Sequence, residues 1–323
     1  METMHILINN IDLSLKGYDR FLFSYSRDNN SLVESIGKVG LINPVILIKD
    51  HETYTIVCGC QRIKAYKELG INTIESKVVE GLNDEELLQL SLHDNIFSRG
   101  FNEIEKAIAV KKFMEAGYSF DRVAAEITPL LGLPPSKKII DKYLSLLKLN
   151  KEIKDAVAKN ELELEKAVLL IQLDDVDREI VYRILFRESY TNLNETKETI
   201  RNLLDLKQIK EKEIKELPTA SEINSILSNS KTNKRQKGER IYKLIKTMRY
   251  PAISEKEKAF NKSCSELGLD NHVRINHSGY FEGDDIRITI KAVSEEGLKA
   301  NIEKLTANIN SGAFKKLFSI ILS

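Results

Sequence analysis

Apolar and polar positions change their period along the chain, and the changes mark its parts. Leu32–Val39 repeats at helical spacing through Leu32, Ile36 and Val39, and Gly40 closes it. The run Pro44-Val45-Ile46-Leu47-Ile48 is β-branched and predicts a strand. After the polar turn Asp50-His51-Glu52, Tyr54–Cys58 predicts a second strand, Arg62–Leu69 a helix closed by Gly70, and Glu75–Val79 a third strand. This is a small α+β unit. From Asn83 to about Leu206 the pattern is almost wholly helical. Asn83 followed by Asp84-Glu85-Glu86 reads as a capped helix start. Further helices are predicted over Glu103–Ala116, Phe120–Leu131, Ser136–Leu147, Lys151–Lys159 and Leu164–Leu173. Near the end, Ser254–Leu267 reads as a helix with a Ser254/Glu257 capping box. Strands follow over His272–Asn276 and Ile286–Lys291, then a Ser294-capped helix to Ile309 and an apolar tail helix. The fold class is therefore α+β, mainly helical, ending in an α-β-β-α module. A two-stranded sheet is marginal alone, so pairing with a second copy is expected.

Composition narrows this picture. Of 323 residues, 42% are hydrophobic and 30% charged, which supplies real cores and excludes wholesale disorder. Forty-nine basic and 48 acidic side chains exclude an overall cationic protein, but charge is concentrated locally. Lys231–Arg249 carries eight Lys or Arg against one Glu, and Pro134–Lys154 six Lys against Asp141 and Glu152. Both stretches are expected at DNA phosphates, with binding that falls steeply with salt. Three cysteines, Cys58, Cys60 and Cys264, exclude a disulfide framework. With no apolar run near 20 residues and no signal-like N-terminus, the expectation is a cytoplasmic protein with no membrane partner.

Three constellations carry chemistry. Gly59 lies at a strand–helix junction with Arg62 in the following turn, an arrangement suited to phosphate. Asp94 and Asn95 offer hard oxygen ligands for Mg²⁺, and Arg99 offers a cation for phosphate. Phe120–Leu147 has helix-turn-helix form. Its second helix is expected to bury Ile139, Ile140, Tyr143 and Leu147 and to present Ser136, Lys137, Lys138 and Lys142 to a major groove.

In order, these pieces resemble the ParB family of chromosome and plasmid partition proteins. Leu32-Val33-Glu34-Ser35-Ile36 through Pro44 is similar to the family's opening motif, and Gly59-Cys60-Gln61-Arg62 sits where the family has G-E-R-R. Asp94-Asn95 sits at its E-N-x-Q-R, Ile104-Glu105-Lys106-Ala107 at its L-E-E-A, and Leu144-Ser145-Leu146-Leu147 at its L-R-L-L. The resemblance implies a ParB/sulfiredoxin-like nucleotide-binding domain over 1–100, a helical DNA-binding domain over 101–206, a basic linker or helix over 207–249 and a dimerisation domain over 250–323. It implies CTP and Mg²⁺ as cofactors, held by Gly59, Cys60, Gln61, Arg62, Asp94, Asn95 and Arg99, with the metal at Asp94 and Asn95. It also implies double-stranded DNA as partner, a homodimer formed through the C-terminal domain, a partition ATPase, and a DNA clamp gated by CTP and reopened by its hydrolysis. The chain departs from the pattern at Cys60, Gln61, Asp94, Phe97 and Ser98, with Arg99 one place late. Two alternatives accompany this reading. One is a sulfiredoxin-like or kinase-like nucleotide-dependent enzyme using Cys60. The other is a transcription regulator that uses no nucleotide.

Overall fold

The computed structural model describes residues 2–14, 20–217 and 220–322. The chain forms two compact units, Met1–Arg178 and Glu179–Ser323. The division between them falls inside the helical region expected over 101–206, whose helices are shared between the units. Within the stretch expected as a basic linker or helix, Lys234–Arg249 forms a packed helix.

In the first unit, β1 (Glu2–Leu7), β2 (Val45–Asp50), β3 (Thr53–Cys58) and β4 (Thr73–Val79) form one sheet of order β1-β4-β2-β3. β2 runs parallel to β4, and the other two pairings are antiparallel. Only β1 went unpredicted. Helices α1 (Asn30–Val39) and α2 (Cys60–Glu68) pack on each other, and α2 lies on the sheet. Val45, Leu47, Ile56, Ile63 and Ile74 make the dry centre of this core. α3 (Asp84–Ser98) and α4 (Glu103–Glu115) follow, each opened by a complete capping box, Asn83 with Glu86 and Asn102 with Glu105.

The helix expected over Phe120–Leu131 is shorter. Its α-turn, α5 (Phe120–Arg122), widens into a π-turn over Val123–Ile127. Pro129 cannot donate to a continuing helix. The chain then folds back, with the Leu133 N–H donating to the Thr128 carbonyl at 2.8 Å. α6 (Lys137–Leu146), α7 (Lys151–Ala158) and α8 (Leu164–Ile171) complete the bundle with α4. α6 buries Ile140, Tyr143 and Leu146; Ile139 and Leu147, expected in the core, are only half-buried.

In the second unit, α9 (Leu193–Lys210) and α11 (Lys234–Arg249) pack parallel, with α10 (Ala220–Ser228) also against α11. α12 (Pro251–Glu266) starts three residues before the expected Ser254. Proline suits the first helical position, so Ser254 lies buried within the helix and is not its cap. β5 (Val273–His277) and β6 (Ile286–Ile290) pair antiparallel. α13 (Glu295–Asn310) and α14 (Ala313–Leu322) cover one side, around Phe260, Leu305 and Leu317. The α-β-β-α order is as expected.

Candidate functional site

The strand–helix junction at the end of β3 is built on a left-handed residue. Gly59 has φ +93°, and a Cβ there would lie 2.7 Å from Val45 Cγ1 and 2.9 Å from Arg62 Nε. Glycine alone fits. The turn throws Arg62 back over the strand, where its Nη1 donates to the carbonyls of Asn43 (2.7 Å) and Pro44 (2.9 Å). Its Nη2 stands 3.5 Å from Asp94 Oδ2 on α3. Two segments more than thirty residues apart thus meet at one charge pair.

A cavity of about 320 Å³ opens between them. Gly59, Cys60, Gln61, Arg62, Asp94, Asn95 and Arg99 all line it, together with Leu32, Ile36 and the 40–43 turn. Every residue the sequence pointed to for nucleotide therefore faces one space. Arg99 reaches it as the residue that ends α3. Its Nε donates to Asn95 Oδ1 at 2.8 Å, its Nη1 to Glu105, and its Nη2 to Ser24 Oγ at 3.2 Å. Asn95 Nδ2 donates to the Ser91 carbonyl at 2.7 Å. Asn95 therefore works first as a brace for Arg99. Among the acids and amides of the wall, Asp94 is the hard oxygen donor best placed for a divalent ion, and Asn95 offers only the remaining lone pair of an oxygen already bonded to Arg99.

Sequence reasoning missed Glu105 as part of this site. It is fully buried on α4 and accepts from the Tyr25 and Asn102 N–H groups, from Arg27 Nε and Nη2, and from Arg99 Nη1. Burial pushes its carboxyl up, but Arg27, Arg99 and the backbone donors outweigh this and hold it below its ordinary value. The available signal was the Asn102-x-x-Glu105 capping box.

Cys60 is the first residue of α2 and is 3% exposed. Cys58 is fully buried, and burial pushes its thiol up, with Asp94 acting in the same direction. Neither is presented as an accessible thiolate.

The second candidate surface is the start of α6. Ser136 caps the helix, its Oγ accepting from the Ile139 N–H at 3.3 Å. Lys137 and Lys138 are exposed in the first turn, and Lys137 Nζ stands 4.9 Å over the Phe120 ring. Lys142 is half-buried and 3.8 Å from Glu165, so it is less free than expected. Tyr143 donates to Glu103, which pins this helix to the start of α4.

The basic segment of the second unit is α11. Glu195 and Asp205 of α9 pair with its Arg235 and Arg249, and Glu257 of α12 pairs with Lys246. Lys231, Lys234, Arg240 and Lys243 remain exposed around it. Gly238 lets α11 approach the Tyr190 backbone, where a Cβ would lie 1.9 Å from the carbonyl oxygen.

Residues 20–96 match the ParB N-terminal domain, and residues 99–205 the ParB HTH domain. The chain is similar to a nucleoid occlusion protein of Halalkalibacterium halodurans, 25% identical over 54% of this chain and 59% of that protein. It is similar to a probable chromosome-partitioning protein ParB of Coxiella burnetii, 26% identical over 53% of this chain and 57% of that one. The chain thus spans less than two thirds of the curated relatives it matches. A structure of C-terminally truncated ParB from Caulobacter crescentus with CTP-gamma-S is 23% identical, covering 54% of this chain and 94% of that one, with a TM-score of 0.27. No helix among the described residues is long and apolar enough to cross a membrane.

Proposed function

The chain belongs to the ParB family, and from that premise we propose that it is a partition protein that binds a specific double-stranded DNA site and gates that binding with CTP and Mg²⁺. The observation that carries the nucleotide half is the convergence of the Gly59–Arg62 turn and the end of α3 on one cavity. Gly59 admits ligand close to the backbone, Arg62 and Arg99 meet phosphate, and Asp94 holds the metal. Bound Mg²⁺ would neutralise phosphate charge and fix the triphosphate beside Arg62. The apolar wall at Leu32 and Ile36 leaves room for the base.

The DNA half rests on α6. Its first turn carries Lys137 and Lys138 and no acid, at the end of the helix where the dipole is already positive. That arrangement is mildly unfavourable for a bare helix and favourable once phosphate arrives. The exposed lysines and Arg240 around α11 add sequence-independent contact. The dimer half rests on the C-terminal module. Its sheet has two strands, and Ile288 and Ile302 are 38% and 48% exposed on a fold too small to waste apolar area. Association of two copies buries them. A partition ATPase completes the expected partners.

The test is equilibrium binding of CTP, ATP, GTP and UTP to the full chain with Mg²⁺. Selective CTP binding that is lost in Arg62→Ala supports the gate. Absence of binding to all four, with or without DNA, overturns the nucleotide half and leaves a DNA-binding protein whose N-terminal cavity is a scaffold.

A further inference from the structure

Two guanidiniums share one carboxylate behind the cavity. Arg27 grips Glu105 through Nε at 3.1 Å and Nη2 at 2.5 Å, and Arg99 reaches the same group through Nη1 at 2.9 Å. Only Arg99 lines the cavity. Glu105 is fully buried, so its charge is poorly screened and acts on both arginines. With Arg99 as its sole partner, Glu105 would cancel the cavity's cation. With Arg27 also bound, the group of three keeps one net positive charge. The other cation of the wall, Arg62, faces Asp94 across 3.5 Å and contributes no such excess.

We propose that Arg27 is a positioning residue for anion binding in this cavity: it neutralises Glu105, so that Glu105 anchors Arg99 without silencing its charge. The proposal rests on the phosphate reading of the cavity and deepens it. Arg27 touches no ligand, and its effect is electrostatic. A carboxylate that accepts five donors can orient Arg99 rigidly, and a second arginine is what makes that anchor compatible with binding an anion.

The experiment is calorimetric binding of inorganic tripolyphosphate, and separately of CTP with Mg²⁺, to the full chain and to three variants, with thermal unfolding recorded for each. Arg27→Gln is expected to weaken tripolyphosphate about tenfold. The double variant Arg27→Gln/Glu105→Gln restores the net charge, and it is expected to bind within about threefold of wild type although it gives up buried bonds. Arg27→Lys keeps the charge without the two-pronged grip and is also expected to stay within about threefold, which preserves the test if Arg27→Gln does not fold. A purely structural Arg27 makes the double variant worse than the single one. Equal affinity of wild type and Arg27→Gln, no recovery in the double variant, or a tenfold loss in Arg27→Lys overturns the proposal. Tripolyphosphate binding without CTP binding overturns the nucleotide reading and leaves this inference to the variants. Binding of neither overturns both.

Discussion

Gly59→Ala is the sharpest perturbation of the cavity, because the structure names what the added methyl would meet. An alanine at φ +93° costs roughly 1–2 kcal/mol for the left-handed backbone alone. The methyl would also press on Val45 Cγ1 at 2.7 Å and on Arg62 Nε and Cζ at 2.9 and 3.0 Å. Val45 is fully buried and has nowhere to go. The Arg62 guanidinium is the part that can move, and moving it breaks its bonds to the Asn43 and Pro44 carbonyls. Overpacking of this kind costs about 1–3 kcal/mol, so the total is about 2–5 kcal/mol, read by urea unfolding. The binding effect is separate. Displacing one charge-assisted contact is worth about 1.5–3 kcal/mol, or about 10- to 150-fold in triphosphate affinity. Because the path runs through Arg62, the double variant with Arg62→Ala should bind no worse than Arg62→Ala alone, and its stability loss should be less than additive. Wild-type affinity in folded Gly59→Ala, or strict additivity of the two variants, would refute the reasoning.

Other outcomes follow from the same geometry. Gly238→Ala removes a mid-helix glycine, which by propensity alone stabilises by up to about 1 kcal/mol; the 1.9 Å approach to the Tyr190 carbonyl reverses the sign, and a net loss of about 2 kcal/mol is expected by denaturant titration. Glu105 has a lowered folded-state pKa, so the stability it contributes is fully present above its unfolded value, about 4.3, and drains as pH falls through the folded value. In Glu105→Gln the acid limb of the stability–pH curve should flatten, and an unchanged limb would contradict the assignment. Ser136→Ala removes the cap of α6 and should cost about 1 kcal/mol. Lys137→Ala with Lys138→Ala should weaken DNA binding and make the slope of log affinity against log salt shallower by roughly one for each phosphate no longer neutralised; an unchanged slope removes these lysines from the interface.

Much of this protein is local, and local features are readable from sequence. The Asn83 and Asn102 caps, the strands either side of Asp50-His51-Glu52, and the order of pieces ending in α-β-β-α follow from period, capping chemistry and turn residues that act within a few positions. The residues of the candidate cavity were legible too, as two short motifs. What the motifs could not state is the bonding between them. Asn95 looked like a metal ligand and serves first to hold Arg99, because a side chain's free lone pairs depend on what folds against it. Glu105 looked like half of a capping box, and tertiary packing made it the buried anion under two arginines, one from a segment 78 residues away. β1 escaped notice because its partner β4 lies some seventy residues further on. The basic run of 231–249 read as a charged linker or helix open to phosphate, since charge content does not reveal which acids lie opposite; only the parallel packing of α9 brought Glu195 and Asp205 to Arg235 and Arg249. Sequence by itself determined most of the elements and the chemical inventory. Tertiary structure decided which charges are spent on one another and which remain for a ligand, because that balance is set by distances and burial between residues that are remote along the chain.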